Sequence, residues 1–199
     1  TSTSNVAFAP YGNPKETIHP EQGGVAILSR WSFESVLSFK LPAGDMDDED
    51  ERVILLASVA LKDQDETKHV TIVTTHFSWH PEQVELRSRQ METSLRLIRL
   101  RSIGSVIFAG DFNATEDEPC FEPLRAFYVD AFRKVRPEDA GLTWDTSNPY
   151  VIFKHEPSRR VDYVFCSPEF AIHDAFVALD QPNPVYPSDH FAVCADLEI

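Results

Sequence analysis

The sequence predicts an α/β (α+β) fold in which long strands form a buried sheet and helices pack outside it. Short apolar segments rich in β-branched residues recur along the 199-residue chain, and a long amphipathic helix separates the third from the fourth. No repeat, low-complexity tract or interdomain linker divides the chain, and its length suits one sizeable domain. Hydrophobic residues make up 42% and charged residues 25%, which is the composition of a globular protein rather than a disordered one.

Six segments are predicted as strands: residues 24–29, 52–61, 70–75, 105–109, 161–166 and 191–199. Several of them are nearly continuous apolar runs rather than strict alternations of apolar and polar residues. Such runs are typical of strands that are buried on both faces, as in a sheet covered by other layers.

A long helix is predicted from Pro81 to about Arg101, because proline favours the first turn of a helix and Gly104 follows its end. Its apolar residues recur at helical spacing and form one stripe, and Arg87 lies off that stripe with other charged residues. The stripe consists of Val84, Met91, Leu95 and Ile98. A second, shorter helix is predicted over residues 121–127.

The chain is strongly acidic, with a formal net charge of −14. This charge argues against a surface that coats nucleic acid, because such binding depends on Lys and Arg side chains that neutralise phosphates. Residues 45–51 contribute six acids in seven positions. We interpret that run as a solvated loop between strands, with cation binding as the alternative. Phosphodiester cleavage stays open to an acidic protein, because a bound metal inverts the local charge.

The ends and the cysteines bear on the cellular setting. Residues 1–5 show no basic region before an apolar stretch, so no signal peptide is predicted, and the lack of an initial Met indicates that the gene product starts upstream. No apolar run approaches the roughly 18 residues of a membrane span. Cys120, Cys166 and Cys194 are too few and too scattered for a disulfide framework or a zinc site. We expect a reducing, intracellular setting and no transmembrane segment.

Polar residues directly follow the apolar segment at 105–109. Gly110 is followed by Asp111 and, after one phenylalanine, by Asn113. Because strand side chains alternate with period two, Asp111 and Asn113 can project to the same side at the end of the strand. There the acid could orient or deprotonate a water, and the amide could donate to a phosphoryl oxygen. The alternative is a turn in which both side chains only bond their own backbone.

Three further places carry candidate chemistry. Asp189 and His190 precede the last strand, where a carboxylate suits Mg²⁺ or Mn²⁺ and an imidazole suits a phosphate, although such a pair is also common in polar loops. Asp162 lies in an apolar strand, so its charge needs a partner such as an imidazolium; a purely structural, hydrogen-bonded aspartate is the alternative. His76 directly follows the segment at 70–75, and a lone histidine at such a position is more often structural than catalytic.

The order of four short motifs makes this pattern specific. Thr-His-Phe at 75–77, Gly-Asp-Phe-Asn at 110–113, Arg-Val-Asp-Tyr at 160–163 and Ser-Asp-His at 188–190 each lie at a strand end or inside a strand. This order resembles the endonuclease/exonuclease/phosphatase superfamily, which shares the fold of deoxyribonuclease I. The resemblance covers residues 23–199. It implies a four-layer α/β/β/α sandwich of the deoxyribonuclease I-like type and a divalent-metal-dependent hydrolase of phosphoester bonds.

The resemblance also implies a role for each matching residue. Asp111 corresponds to the aspartate that orients or activates the attacking water, and Asn113 to the asparagine that holds a phosphoryl oxygen. His190 corresponds to the histidine that contacts the phosphate, and Asp162 to the carboxylate that orients that histidine. Together these residues would prepare the water and hold the phosphoryl group.

Two more positions complete the implied set, and two family motifs have no match. His76 resembles the histidine that stabilises or protonates the phosphate in the nuclease and sphingomyelinase branches, and Asp189 resembles a ligand of Mg²⁺ or Mn²⁺. The family's first-strand asparagine and a later glutamate, both of the metal site, have no match here; residues 5–8 lie too close to the strand at 24–29. We therefore expect the C-terminal portion of the domain, with its N-terminal strands missing. A segment of the same protein would be its partner, and the chain alone would show little activity.

The substrate stays open among nucleic acids, lipids and small phosphates. A long loop at 137–157 holds Trp144 and Asn148 as candidate substrate-binding residues, because an aromatic ring could stack on a base or contact a lipid. The alternative is a tryptophan that anchors the loop to the core. Against the hydrolase stands a non-catalytic interaction module that keeps the fold without a complete metal site. A serine hydrolase is disfavoured, because the sequence has no Gly-x-Ser-x-Gly nucleophile elbow.

Overall fold

The computed structural model describes residues 4–11, 23–44, 51–62, 66–153, 155–181 and 185–199. Within these ranges the chain forms ten strands and three helices. In chain order they are β1 (Asn5–Pro10), β2 (Gly24–Ser29), β3 (Phe33–Lys40), β4 (Val53–Lys62), β5 (Thr67–His76), α1 (Val84–Arg101), β6 (Ser105–Asp111), α2 (Phe121–Arg125), β7 (Val129–Asp130), α3 (Ala131–Val135), β8 (Asp162–Cys166), β9 (Ala171–Ala178) and β10 (Ala192–Glu198).

A six-stranded sheet organises these elements, with its strands in the order β3-β4-β5-β6-β8-β7. All neighbours are antiparallel except β5 and β6, which run parallel and are joined through α1. A parallel pair requires such a crossover, because the chain must return to the same end of the sheet before the next strand begins. Consequently β5 and β6 both end at the same edge of the sheet.

Helices α1 and α2 cover one face of this sheet, whereas α3 packs on the opposite face beside β9. Alternate side chains of the central strands, such as Leu56, Val73 and Phe108, are buried on the first face together with Met91 from α1 and Phe121 from α2. Alternation arises because strand side chains point to opposite faces with period two. In this cluster the ring of Phe112 packs edge to face on Phe108 and Tyr163, an arrangement that aromatic pairs prefer.

Two strand pairs cover the other face. The antiparallel pair β1–β2 packs on β4 through residues such as Leu55 and Ala57, and the antiparallel pair β9–β10 packs on β6 and β8 through residues such as Ala109 and Val164. The described residues thus supply the helix, sheet and strand-pair layers of the predicted α/β/β/α sandwich. The mixed α/β class is confirmed.

All six predicted strands are present, whereas the sequence pattern does not predict β1, β3, β9 or the two-residue strand β7. β3 lies at the edge of the large sheet, and its side chains are half-buried or exposed, so it lacks a continuous apolar run. β1, which contains Asn5, forms an antiparallel pair with β2, in which Asn5 is opposite Ser29. Of the predicted acidic loop at 45–51, residues 45–50 lie outside the described residues, and Glu51 forms an ion pair with Lys40.

The long predicted helix is confirmed, with two differences. It begins at Val84 because Pro81 lies in a preceding turn, and Arg87 is almost fully buried rather than solvated. The guanidinium of Arg87 donates to the carboxylate of Glu118 and to the carbonyl oxygen of His80, which satisfies its charge inside the protein. Among the described residues, no helix is long and apolar enough to cross a bilayer.

Gly110 sets the approach of β5 to β6 beside the edge where both strands end. A Cβ atom at this position would lie 2.2 Å from the carbonyl oxygen of Thr75, a backbone atom that cannot rotate away. A substitution of Gly110 must therefore separate the two strands or break their pairing.

We predict that Gly110→Ala lowers the free energy of unfolding by roughly 2 to 4 kcal/mol, because relief of the contact requires a backbone shift. Urea unfolding followed by circular dichroism measures this change. The matched control is Ala109→Gly in the same strand, for which we expect a loss of only about 0.5–1 kcal/mol from backbone entropy. Equal losses in the two variants would contradict the prediction.

Candidate active site

Three titratable side chains stand side by side where β5 and β6 end and β8 begins. In the sheet register, His76 is opposite Asp111, and Asp111 is opposite Asp162. All three project from the face covered by the strand pairs, because they continue the alternation of Thr74, Ala109 and Val164 on their strands. Strand pairing alone thus brings together residues that are far apart in the sequence.

His190 completes this row from a different segment of the chain. Its Nδ1 atom lies 2.8 Å from Oδ2 of Asp162, so the imidazole donates to the carboxylate. The predicted imidazolium partner of Asp162 is therefore His190. This hydrogen bond fixes the ring and leaves Nε2 as its second polar atom.

His76 has a polar group beside each of its ring nitrogens. Its Nε2 atom is 3.3 Å from Oδ2 of Asp111, and its Nδ1 atom is 2.7 Å from the hydroxyl of Tyr11. Tyr11 follows β1 and is not indicated as a site residue by the sequence, because the contact joins positions 65 residues apart.

Asp111 and Asn113 form the turn that the sequence offered as the alternative, and they also line the cavity. Oδ1 of Asp111 accepts the backbone N–H of Asn113 at 2.8 Å, and Asn113 has a left-handed backbone with φ of 48°. The Asn113 side chain donates to the carbonyl oxygen of Phe77 at 3.0 Å. The turn therefore orients Asp111 while both residues remain at the cavity surface.

The two candidate substrate-binding residues of the long loop have supporting positions. Asn148 is fully buried, and its amide donates to the carbonyl oxygen of Ser188 at 2.9 Å, so it lies below the cavity surface rather than at it. Trp144 lines the cavity, but its ring is nearly buried under the guanidinium of Arg159, and its backbone bridges to His190. Both residues hold in place the segment that carries Asp189 and His190.

A cavity of about 590 Å³ opens over this row of residues. Its wall includes exposed Asp189 and several residues that the sequence does not single out, because isolated arginines and aromatic residues have no motif. These additional wall residues include Tyr11, Arg52, Trp79 and Arg159. The predicted residues His76, Asp111, Asn113, Asp162, Asp189 and His190 all line the same cavity.

The two histidines differ in charge at neutral pH. Burial, reinforced by the positive charges of Arg52 and His190, lowers the pKa of His76 to about 3, so this ring is neutral at neutral pH. Burial also disfavours charge on His190, but the hydrogen bond and negative charge of Asp162, aided by Asp111, outweigh it and raise the pKa of His190 to about 9. His190 is therefore an imidazolium at neutral pH.

Asp111 carries the carboxyl group with a pKa near neutrality. Burial is the main cause, and the negative charge of Asp162 adds to it, so that the pKa of Asp111 rises to about 7. The positive charges of His190 and Arg52 and the backbone hydrogen bond from Asn113 oppose this rise. A carboxyl with such a pKa can take up and release a proton at neutral pH.

Among the described residues, one group of side chains could share a cation: Asp111, Asp162 and His190 offer ligand atoms within 4.8 Å of one another. A hard cation such as Mg²⁺ prefers oxygen, and the protonated imidazole of His190 already bonds Asp162, so this trio does not suit it. The exposed carboxylate of Asp189 suits Mg²⁺ better, since this ion takes one or two carboxylates and completes its shell with water and phosphate oxygens.

Comparison with known proteins agrees with this geometry. The family described as the Endonuclease/Exonuclease/phosphatase family matches residues 3–190. The chain belongs to this family. Its predicted resemblance to the superfamily is thereby confirmed.

Known relatives and solved structures support the same fold. The chain is 25% identical to the carbon catabolite repressor protein 4 homolog 4 of Arabidopsis thaliana, with 66% of this chain and 38% of that protein covered. It superposes on an endonuclease/exonuclease/phosphatase from Beutenbergia cavernae with a TM-score of 0.72 and 24% identity. It also superposes on D. rerio TDP2, solved as a complex with a single-strand DNA product, with a TM-score of 0.75 and 20% identity.

The chain spans only part of these proteins. The two superpositions each cover 98% of this chain but only 53% of the Beutenbergia protein and 77% of D. rerio TDP2. The family fold and the cavity are thus shown for this chain, whereas the activity of a whole protein is a matter for proposal.

We predict that Asp111→Asn stabilises the fold above neutral pH by about 2–4 kcal/mol in metal-free buffer, because it removes a charge that burial disfavours. The folded pKa, about 7, exceeds the ordinary value of 3.8, so the stability of the unmodified protein falls as pH rises between these values. The gap between variant and parent should therefore widen from about pH 4 to pH 7 and then level off.

Urea unfolding at a series of pH values in the presence of a chelator measures this gap. Asp196→Asn serves as the control, because Asp196 is exposed and its replacement removes no buried charge. A gap that stays constant with pH, or that has the opposite sign, would refute the assignment of a raised pKa to Asp111.

Proposed function

We propose that the full-length protein is a Mg²⁺- or Mn²⁺-dependent hydrolase of phosphoester bonds that acts by in-line attack of water. The observation that carries this proposal is the row of His76, Asp111 and Asp162 in adjacent register, with His190 bonded to Asp162 at 2.8 Å. The row combines the carboxylate of Asp111 as a base, the neutral imidazole of His76 as an N–H donor and the imidazolium of His190 on one wall of a cavity. These are the groups that hydrolysis of a phosphoester requires.

Asp111 acts as the general base in this proposal. Its pKa of about 7 allows the carboxylate to accept a proton from the attacking water at neutral pH. The Asn113 backbone N–H and His76 hold its two oxygens in place, at 2.8 Å and 3.3 Å respectively. A base that is already oriented loses little conformational freedom when the water binds.

His190 and Asn113 bind the phosphoryl oxygens. The imidazolium of His190 keeps its position through Asp162 and offers Nε2–H as a charged donor, which favours the negative charge of the transition state. The amide of Asn113 uses one hydrogen on the carbonyl of Phe77, and an NH₂ group has a second hydrogen for a phosphoryl oxygen.

Asp189 is the residue of this chain that we assign to the divalent cation, on the basis of its exposed carboxylate beside His190 at the cavity. The cation supplies positive charge that neutralises the phosphoryl oxygens. The lone pairs of a carboxylate match the preference of Mg²⁺ and Mn²⁺ for oxygen ligands.

A nucleobase beside the scissile phosphate is the substrate feature that the cavity rim favours. Trp79 and Phe153 are both partly exposed, and their rings stack on each other with centroids 6.2 Å apart and planes 15° apart. Exposed aromatic rings attract bases without regard to sequence. A nuclease-like phosphodiesterase acting on single-stranded nucleic acid or nucleotides therefore fits this rim better than an inositol phosphatase.

We predict that Asp111→Ala and His190→Ala each lower the metal-dependent kcat/KM of the full-length protein for a phosphodiester by about 10²–10⁴-fold. The base and the charged donor, respectively, are lost while the fold is kept. Hydrolysis of bis-p-nitrophenyl phosphate with Mg²⁺ or Mn²⁺, and with a chelator in its place, measures the effect. The matched control for the histidine is His173→Ala, which removes a surface histidine paired with Glu198 and should leave activity unchanged.

Unchanged hydrolysis in Asp111→Ala or His190→Ala would contradict the proposed roles. A full-length protein that binds phosphodiesters yet hydrolyses none with either metal would favour the alternative, a non-catalytic interaction module.

We predict that Trp79→Ala raises KM for a short single-stranded oligonucleotide roughly 10-fold, since stacking contributes about 1–3 kcal/mol per base. The same variant should change KM for sphingomyelin or an inositol phosphate by less than about twofold. Trp31→Ala is a close control, because Trp31 is 49% exposed and Trp79 is 47% exposed, but Trp31 is not part of the cavity wall. An equal rise in KM for all three substrate classes would refute the stacking role.

A further inference from the structure

Tyr11 reaches the active-site row from outside the large sheet. Its hydroxyl lies 2.7 Å from Nδ1 of His76, and the two rings meet edge to face with centroids 5.9 Å apart. Tyr11 directly follows β1, whereas His76 ends β5, so this bond ties the β1–β2 pair to the catalytic edge. The 2.7 Å distance is shorter than the 3.3 Å between Nε2 of His76 and Oδ2 of Asp111.

The ring of Tyr11 is held from several sides. The guanidinium carbon of Arg52 lies 5.3 Å from the ring centroid, and the Tyr11 backbone N–H donates to the carbonyl oxygen of Gly23 at 3.0 Å. A Cβ atom on Gly23 would lie only 3.1 Å from the ring, so the ring lies close against this glycine. These contacts fix the position of the hydroxyl that hydrogen-bonds to His76.

The proton on His76 has two possible places, and its partners discriminate between them. With the proton on Nε2, the positive end of the N–H lies beside Oδ2 of Asp111, 3.3 Å from the nitrogen, and the Nδ1 lone pair accepts the Tyr11 O–H. With the proton on Nδ1, the Nε2 lone pair would face the Asp111 carboxylate at 3.3 Å, an arrangement of two acceptors. The tyrosine hydroxyl and the carboxylate thus favour the same tautomer.

We propose that Tyr11 is a positioning residue that holds His76 in the neutral tautomer protonated at Nε2. The ring then presents an N–H donor, and not a lone pair, to Asp111 and to a phosphoryl oxygen beside it. Asp111 therefore remains the base of the site, and His76 cannot compete with it for the proton of the attacking water. The low pKa of His76, which burial and Arg52 cause, agrees with a neutral ring.

The tautomer can be read directly, without any assay of activity. We expect long-range ¹H–¹⁵N correlation spectra of the full-length protein to show His76 as the pure Nε2–H tautomer at pH values where Asp111 is ionised. The His76→Ala variant assigns the signals. In Tyr11→Phe, which keeps the ring and removes the hydroxyl, the His76 nitrogens should move towards the average of both tautomers. Tyr128→Phe, on the helix-covered side of the sheet, should leave them unchanged.

The kinetic consequence rests on the proposed function and forms a second measurement. Tyr11→Phe should lower kcat roughly 10-fold, with KM within about twofold and a thermal midpoint within about 2 °C of the parent. In the His76→Ala background the same change should have no further effect on the residual kcat, because Tyr11 acts through His76.

Each outcome decides the inference. An unchanged His76 spectrum in Tyr11→Phe would overturn it, and so would a kcat loss that persists in the His76→Ala background. If the full-length protein hydrolyses no phosphoester, the proposed function fails, while the spectra still show whether Tyr11 fixes the tautomer.

Discussion

The register of β5, β6 and β8 is the constraint on which the rest of this site depends. It places His76, Asp111 and Asp162 in neighbouring positions across three strands, on the face that the strand pairs cover. Gly110 permits β6 to approach β5 closely beside this row. A register shift by one residue would turn the three side chains to the helix-covered face, among the aromatic rings of the core. These three side chains are therefore anchored on the sheet itself.

This arrangement brings several titratable side chains close together, and the surroundings of each one decide its protonation state. Burial and the negative charge of the neighbouring Asp162 raise the pKa of Asp111, while Asp162 takes His190 as a cationic partner. Burial and the positive charge of Arg52 lower the pKa of His76, so His76 remains neutral. Two histidines on the same cavity wall thus hold different protonation states, one neutral and one cationic.

Segments outside the sheet supply the remaining groups and their support. The loop at 137–157 bridges to His190 through the backbone of Trp144 and to Ser188 through the side chain of Asn148. Thr143 in the same loop accepts the backbone N–H of Asp162 at 3.1 Å. These polar contacts fix the loop to the segments that carry Asp162, Asp189 and His190.

The sequence by itself determined the mixed α/β class, the six apolar strands and the long helix, because apolar runs and helical spacing are local properties of the chain. The order of the four motifs along the sequence indicated the six polar residues at the cavity. The sequence could not show that Arg87 is buried, since helical spacing does not reveal a carboxylate such as Glu118 on another segment. Nor could it reveal Tyr11 as the partner of His76. That contact spans 65 positions and depends on how the β1–β2 pair packs on the large sheet, which only the tertiary structure decides.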